Sequence, residues 1–389
     1  MIPYGKQDIN QTDIDSVVNV LQSDFLTQGP QVPLFEKTVS SYCNSDYGVA
    51  VNSATSALHI ACLALDLKKG DWLWTSPNSF VASANCGLYC GAKVDFVDIN
   101  PHTYNLSSEE LEEKLIQAKK DNKIPKIVIP VHFAGQSCNM KKIYSLSQEY
   151  GFKIIEDASH SIGGMYLEKP IGSCQYSDIT VFSFHPVKII TSGEGGMAMT
   201  NSKKLFEKMR LFRSHGIIRD FSAINNEEHN LYYYEQIELG FNYRMTELQA
   251  ALGNSQMDRL DNFVKRRHEL KLRYDSLLKS EALVQPYQDL DCYSSFHLYP
   301  IKINTARSKK SRDVIFKSLR NKGVGVNVHY IPIHTHPYFK SLGFKKGDFP
   351  IAEEYYSNVI SIPLFYSMTF DEQDLVIDSI KQTLNQDST

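Results

Sequence analysis

Short apolar runs alternate with amphipathic segments along the first half of the chain, after two helix-like segments at residues 13–23 and 34–42. The runs are typical of buried strands, and the segments between most of them carry apolar residues at helical spacing. This alternation predicts an α/β layer on a mainly parallel sheet, because parallel strands need a crossover between them. The predicted strands span residues 48–51, 72–75, 93–97, 127–131, 153–155, 179–182 and 196–200, and the predicted helices between them span 55–66, 80–89, 108–117, 140–150 and 202–212.

The pattern changes near Thr246, which has capping-box spacing to Gln249. Apolar positions over residues 245–278 then keep roughly one helical face and predict one long helix that joins two domains. Strand-like runs and amphipathic segments beyond it predict a smaller α+β unit, with strands at 297–303 and 324–333 and helices at 312–322 and 371–384. The sequence therefore predicts a large domain over residues 1–250, and a linking helix with a small domain over residues 251–389.

Composition narrows the class of protein. The 389 residues suffice for two domains, and the net charge of −3 offers no basic surface for nucleic acid. No apolar run reaches the length of a membrane span, and the N-terminus lacks the features of a signal peptide. Seven scattered cysteines favour reduced thiols in the cytoplasm. Cys86 and Cys90 could be half of a metal site, but no matching pair stands out, so we expect core packing and no metal.

One lysine, Lys188, lies in the apolar stretch 181–197, between Ser183 and a cluster of glycines. Desolvation lowers the pKa of an amine toward the range in which it attacks a carbonyl. The stretch therefore suits a lysine that forms a Schiff base. A surface lysine beside a glycine turn explains the stretch equally well, so the choice between the two interpretations depends on other parts of the chain.

Candidate ligand-binding residues follow three more predicted strands, and ligands bind outside the carboxyl ends of parallel strands. Ser53 precedes a helix whose free N–H groups suit a phosphate, although the serine could simply cap that helix. Asp157 could pair with a protonated pyridine nitrogen or cap the next turn. Phe80 could cover a flat ring or pack in the core. With Lys188, these residues indicate a pocket for pyridoxal 5′-phosphate (PLP).

The motifs NSATSAL, EDASHSIGG, SFHPVKIITSGEGG and GFNYRMTELQAALG, in this order, resemble those of the DegT/DnrJ/StrS sugar aminotransferases over essentially the whole chain. The resemblance implies a fold-type I PLP-dependent transferase that acts as a homodimer with shared active sites. Stretches such as DFLTQGPQVPLFE and VGVNVHYIPIH are similar to members that move the amino group of L-glutamate to C4 of a UDP-linked 4-keto-6-deoxy-N-acetylhexosamine, in pseudaminic acid biosynthesis. Another sugar position, another nucleotide, or a non-catalytic sensor remain alternatives. Dehydrating members carry His in place of the lysine, so Lys188 favours transamination.

The resemblance also implies a role for each matched position. Lys188 would form the Schiff base and carry the proton, and Asp157 would pair with the pyridine nitrogen. The cofactor would further contact Thr55, Ser56, Phe80, His160, Ser183 and, from the neighbouring subunit, Asn242. The sugar nucleotide would contact Tyr4, Asp24, Phe25, Leu26, Thr27, Ala54, Ser183, Asn242, His329, Tyr330, Ile331 and Pro332. His160 stands where many relatives carry Gln, and His185 receives no role.

A sugar nucleotide brings a diphosphate, so we expect cations along its path. Candidates near the relevant loops are Arg213, Arg219, Arg244 and His215, with an ordinary surface or interface position as the alternative for each. The tyrosines at 232–234 could cover the uracil or pack at a dimer edge.

Overall fold

The computed structural model describes residues 1–218 and 232–385 of the chain, so Arg219 lies outside the described residues. Within these ranges the helices are α1 (Gln11–Leu21), α2 (Gln31–Cys43), α3 (Ala54–Ala64), α4 (Ala82–Tyr89), α5 (Ser108–Lys120), α6 (Met140–Tyr150), α7 (Lys203–Arg213), α8 (Glu247–Met257), α9 (Leu260–Leu277), α10 (Arg312–Asn321), α11 (Pro337–Ser341), α12 (Pro350–Asn358) and α13 (Phe370–Asn385). The strands are β1 (Tyr47–Val51), β2 (Trp72–Thr75), β3 (Lys93–Phe96), β4 (Ile127–Ile129), β5 (Lys153–Asp157), β6 (Met165–Tyr166), β7 (Lys169–Pro170), β8 (Ile179–Ser183), β9 (Gly196–Thr200), β10 (Ile217–Ile218), β11 (Glu235–Gln236), β12 (Leu283–Val284), β13 (Cys292–Tyr293), β14 (Tyr299–Ile303) and β15 (Val359–Ile362).

The main sheet has seven strands in the order β1-β9-β8-β5-β4-β2-β3. The strands from β8 to β3 pair in parallel, whereas β9 runs antiparallel to both of its neighbours. Each strand coincides with one of the predicted runs, so the predicted mainly parallel seven-stranded sheet is confirmed. The strands read as continuous apolar runs because helices cover both faces of the sheet.

Two apolar layers cover the sheet on its opposite faces. Ile154 and Ile155, consecutive in β5, point into different layers, as the alternation along a strand requires. The layer around Ile155 includes Leu58 of α3, and the layer around Ile154 includes Leu115 of α5 and Ile143 of α6. The sheet is thereby held rigidly, and its carboxyl edge can present side chains at fixed positions.

The register of the sheet brings three strand ends to one edge. Gly196, the first residue of β9, pairs with Val51 at the end of β1 and with Ser183 at the end of β8. Asp157 ends β5, which pairs in parallel with β8. A Cβ on Gly196 would lie 2.5 Å from the backbone nitrogen of Ala54. Glycine therefore lets the start of α3 approach the sheet closely at this edge.

The predicted helix over 245–278 is wrong, because it is interrupted at Arg259. The capping box of Thr246 and Gln249 is confirmed at the start of α8. The guanidinium of Arg259 bonds to Asp8 at 2.6 Å and to Asp13 at 2.5 Å, and its backbone leaves the helical region, with φ −110° and ψ 0°. The two helices thus meet at a junction that is anchored to the N-terminal segment.

The C-terminal part forms a three-stranded antiparallel sheet, β12-β14-β15, beside α10 and α13. The strand predicted at 297–303 and the helices predicted at 312–322 and 371–384 are confirmed. The strand predicted at 324–333 is wrong, since this segment makes only isolated bridges, from Val324 to Ile2 and from Asn327 to Ser361. The Asn327 side chain accepts the N–H of Val328, which removes a donor that a strand ladder would need. None of the helices described above is long and apolar enough to cross a membrane.

Candidate active site

A cavity of about 940 Å³ opens at the carboxyl edge of the main sheet, where the 327–330 segment of the C-terminal part closes it. This volume is near the upper end for ligand-binding pockets. Much of the predicted site meets here: the lining includes Tyr4, Ala54, Thr55, Ser56, Phe80, Asp157, His160, Ser183, Lys188, His329 and Tyr330. Residues from separate strand ends are therefore brought together at one cavity.

Other predicted residues lie outside this lining: Asp24, Phe25, Leu26, Thr27, Asn242, Ile331 and Pro332. The first four form an exposed stretch before α2, and Asn242 is also exposed. Their predicted contacts with ligand remain predictions. For Asn242 this placement is compatible with the prediction that it serves the neighbouring subunit's site.

Lys188 lies in the cavity wall, so its placement there favours the Schiff-base interpretation over a turn on the outer surface. Its ammonium group makes no hydrogen bond or ion pair with the residues that the structure describes. Burial lowers the pKa of Lys188 to about 8, and the carboxylate of Asp157 opposes that shift. An appreciable fraction of this amine is therefore neutral near physiological pH, as a nucleophile or general base requires.

Asp157 is buried and held on both of its carboxylate oxygens. Its Oδ2 accepts a hydrogen bond from the hydroxyl of Ser83 at 2.6 Å. Its Oδ1 accepts from the hydroxyl of Ser159 at 2.6 Å and from the Ser159 N–H at 3.2 Å. Asp157 therefore does cap the next turn, and the same contacts fix the orientation of its carboxylate toward the cavity. Sequence reasoning missed Ser83, because only the packing of α4 on the sheet reveals the contact.

The start of α3 is compatible with both interpretations of the Ser53 region, the helix cap and the phosphate site. The Ser53 hydroxyl caps the helix by accepting the N–H of Ser56 at 3.1 Å, and the Ser56 hydroxyl donates to Asn52 at 2.7 Å. The N–H groups of Ala54 and Thr55 have no partner among the described residues, and both residues line the cavity. Free amides at a helix N-terminus suit a phosphate, which the helix dipole further stabilises.

Phe80 follows β2 and lines the cavity with its side chain largely uncovered, at 61% exposure. Its interpretation as a core aromatic is therefore wrong. A phenylalanine ring exposed at a cavity wall is available to cover a flat ligand ring.

His160 and Tyr330 form a hydrogen-bonded pair in the cavity wall. His160 accepts the N–H of Ala134 on Nδ1 at 3.2 Å, so its proton resides on Nε2 and is donated to the Tyr330 hydroxyl at 3.1 Å. Burial, together with the charge of Lys188, holds the pKa of His160 well below its usual value, so the ring is neutral. Burial likewise raises the pKa of Tyr330. The phenol therefore keeps its proton and can donate it to a ligand.

The predicted cations outside the cavity have different surroundings. Arg213 bonds to Glu36 and to the carbonyl of Ala50, which makes it a structural residue. Arg244 itself forms the isolated β-bridge to Val51 and makes no ion pair within the described ranges. Tyr232 and Tyr234 expose 79% and 53% of their surfaces, which leaves both of their interpretations open. His185 and Glu194 both line the cavity, and the Nε2 atom of His185 lies 4.0 Å from a carboxylate oxygen of Glu194.

The residues present fit PLP. The cavity offers an unpaired amine in Lys188, an oriented carboxylate in Asp157, free helix amides for a phosphate and an exposed aromatic face in Phe80. These are the groups that a phosphorylated pyridine aldehyde needs: a nucleophile, a partner for its ring nitrogen, an anion site and a stacking surface.

Comparisons with known proteins agree with this geometry. Residues 7–381 match the DegT/DnrJ/EryC1/StrS aminotransferase family. The chain is 36% identical to the UDP-4-amino-4,6-dideoxy-N-acetyl-beta-L-altrosamine transaminase of Campylobacter jejuni, over 99% of this chain and 98% of that one. It superposes with a TM-score of 0.89 on Helicobacter pylori PseC, an aminotransferase involved in the biosynthesis of pseudoaminic acid, at 30% identity over 98% of this chain and 99% of that one.

A third similarity bears on the cofactor. The PLP-form of Spr1654 from Streptococcus pneumoniae is 27% identical and superposes with a TM-score of 0.88, over 98% of each chain. Family, fold and cavity chemistry thus agree, and the resemblance noted in the sequence motifs is confirmed. The chain belongs to the DegT/DnrJ/EryC1/StrS aminotransferase family and is a PLP-dependent sugar aminotransferase.

Proposed function

We propose that this enzyme transfers the amino group of L-glutamate to C4 of a UDP-linked 4-keto-6-deoxy-N-acetylhexosamine, as a step of pseudaminic acid biosynthesis. The observation that carries the proposal is the unpaired Lys188, placed with Asp157 in a cavity large enough for cofactor and sugar together. The names of the Campylobacter and Helicobacter relatives support the choice of sugar.

PLP, when bound, supplies an electron sink that stabilises negative charge on the carbon from which a proton is removed. Asp157, oriented by Ser83 and Ser159, pairs with the ring nitrogen and keeps it protonated. The amides of Ala54 and Thr55, with the hydroxyl of Ser183, hold the phosphate. These residues bind and orient the cofactor, and they leave the proton transfers to Lys188.

The neutral amine of Lys188 acts as the general base and acid of the reaction. It takes the proton from Cα of glutamate in the first half-reaction and delivers a proton to C4 of the sugar in the second. Its pKa of about 8 suits both the removal and the delivery of a proton, because the protonated and neutral forms are each well populated near neutral pH.

We propose in addition that two copies of the chain share their active sites. Exposed apolar side chains shortly precede Asn242 in the sequence: Tyr232, Ile237 and Leu239 expose 79%, 53% and 78% of their surfaces. Exposed large apolar side chains of this kind are typical of an interface. Asn242 of one copy would then reach the phosphate bound by the other.

Two measurements test the proposal. First, L-glutamate added to the holoenzyme converts the absorption of the lysine-bound cofactor to that of the pyridoxamine form. Second, the pyridoxamine form is incubated with UDP-linked 4-keto-6-deoxy sugars of both C5 configurations, and NMR of the product locates the new amine. An amine at a position other than C4, or reaction only with another nucleotide, contradicts the proposed substrate, and an unchanged absorption contradicts the proposed donor.

A further inference from the structure

Of the four histidines that line the cavity, three are buried, and two of these three have both ring nitrogens engaged. His160 is bonded through Nδ1 to Ala134 and through Nε2 to Tyr330. His329 is bonded through Nδ1 to Ser361 at 2.8 Å, and its Nε2 lies 3.5 Å from the carboxamide of Asn327. These two rings are held in place by the protein itself.

His297, the third, is different. It precedes β14, lines the cavity and is only 4% exposed, yet its ring makes no hydrogen bond with the described part of the chain, and its Nδ1 is fully enclosed. The ring centroid lies 4.3 Å from that of His160. Because Nδ1 is enclosed, Nε2 is the ring nitrogen that a ligand in the cavity can reach, and a ligand that bonds it gains affinity.

The electrostatic surroundings of His297 favour an anion. The guanidinium of Arg267 is fully buried behind it and donates to the backbone carbonyls of Phe296, His297 and Leu364, at 3.2, 3.2 and 2.9 Å. Arg267 has no carboxylate partner among the described residues, and its pKa of about 10 keeps it charged at neutral pH. A positive charge without a counterion thus lies next to an imidazole that lacks a hydrogen-bond partner.

The chemistry of the reaction indicates which anion His297 would bind. The carbon that gives its proton to Lys188 bears the α-carboxylate of the donor directly, so this group must lie close to Lys188. The diphosphate of a sugar nucleotide is several bonds away from its reacting C4. His297 lines the same cavity as Lys188, and its ring lies beside that of His160 in the cavity wall.

We propose that His297 hydrogen-bonds the α-carboxylate of the amino donor, with Arg267 stabilising that charge from behind the ring. The inference rests on the proposed function, and it assigns the donor half-reaction to a residue that the sequence motifs did not single out. The only local sign of it was a polar residue at the start of a predicted strand.

The test compares the two half-reactions in His297→Phe, which keeps a ring but no N–H. We expect the half-saturating glutamate concentration to rise about 10- to 100-fold, as for loss of one hydrogen bond to a charged group. Reaction of the pyridoxamine form with the keto-sugar should change less than about threefold, because its diphosphate does not reach His297. His297→Gln retains an N–H and should recover most of the glutamate affinity. His102→Phe, at an exposed histidine outside the cavity, is the matched control.

A second donor sharpens the result. The second donor is the glutamate analogue in which a carboxamide replaces the α-carboxylate. The wild type should prefer glutamate over this analogue, and His297→Phe should lose most of that preference. An unchanged preference in His297→Phe overturns the inference while leaving the proposed function intact. A wild type that does not react with glutamate overturns the proposed function and this inference with it.

A measurement on the wild type covers the case in which His297→Phe does not fold. In ¹⁵N-histidine-labelled holoenzyme, the imidazole signal that disappears in His297→Gln belongs to His297. α-Methylglutamate has no Cα proton to lose, so it binds without completing the reaction. A shift of the His297 signal on its addition supports the inference, and an unshifted signal at saturation overturns it.

Discussion

The hydroxyl of Ser83 donates a hydrogen bond of 2.6 Å to the carboxylate of Asp157, and so joins α4 to the end of β5 beneath the cavity. Ser83 is completely buried and is itself bonded to Ser79 at 2.7 Å. The carboxylate in the cavity lining is therefore oriented by a chain of hydroxyl groups behind it. Asp157 remains a strong partner for a ring nitrogen only while this support fixes its geometry.

The first prediction concerns that support. Ser83→Ala removes one donor from a buried carboxylate, which costs about 1.5–3 kcal/mol for a hydrogen bond to a charged group. We expect PLP affinity and turnover each to fall about tenfold or more. PLP titration of the apoenzyme and single-turnover rates measure this. Ser147→Ala, at a buried serine of α6 outside the cavity, should leave both values near those of the wild type. Equal effects of the two variants would contradict the assignment.

The second prediction concerns Lys188 itself. Lys188→Ala should still bind PLP, because the phosphate and ring contacts remain, but turnover should fall at least about a thousandfold, since it loses both the covalent link and the proton carrier. Borohydride treatment followed by mass spectrometry should find a covalent cofactor adduct in the wild type and none in the variant. Lys37→Ala, at an exposed lysine of α2, is the control. Turnover near the wild-type rate in Lys188→Ala would refute the mechanism.

The third prediction is a pH dependence. Burial disfavours the charged form of Lys188 and lowers its pKa to about 8, so its neutral fraction rises with pH and saturates above that value. The rate at which the apoenzyme attaches PLP should therefore rise about tenfold per pH unit below pH 8 and level off above it, whereas the same reaction of free Nα-acetyl-lysine should keep rising to about pH 10. Asp157→Asn removes the charge that opposes the shift and should move the plateau to lower pH. A rise that continues beyond pH 10 would show an ordinary lysine.

The parts of the fold that the sequence predicted are those set by local patterns. The strands of the main sheet were predictable from apolar runs, and strand order along the chain then indicated that Asp157, Ser183 and Lys188 lie at carboxyl ends. The interruption at Arg259 was not predictable, because it depends on contacts with Asp8 and Asp13 from the opposite end of the chain.

The same distinction holds within the site. Lys188 and Asp157 follow strands, and their chemistry is visible in one short stretch each. Ser83 and His297 act through contacts made only on folding, and neither a serine inside a helix nor a histidine before a strand forms a pattern. A residue whose significance is a missing partner, as for His297, can be found only when all its neighbours are known.

The fourth prediction separates stacking from packing at Phe80. Because its side chain is 61% exposed, Phe80→Leu should change the free energy of unfolding of the apoenzyme by less than about 0.5 kcal/mol. The same change removes an aromatic face from the cavity and should weaken PLP binding several-fold. Chemical denaturation of the apoenzyme and PLP titration measure the two effects independently. A loss of stability without a loss of cofactor affinity would restore the core interpretation.

The last prediction tests the close approach of α3 to the sheet at Gly196. An alanine Cβ there would lie 2.5 Å from both the Ala54 nitrogen and the Ser53 carbonyl carbon, so the start of α3 would have to move. Overpacking of this kind costs about 1–3 kcal/mol, and the shift would misplace the free amides of Ala54 and Thr55. Gly196→Ala should therefore lower the stability of the apoenzyme and weaken its binding of PLP, and also of inorganic phosphate, which probes the anion site without the contacts to the cofactor ring. Gly5→Ala is the matched control, because its Cβ would make only ordinary contacts, at 3.9 Å or more. If Gly196→Ala loses stability but binds phosphate like the wild type, the amides at the start of α3 are not the anion site.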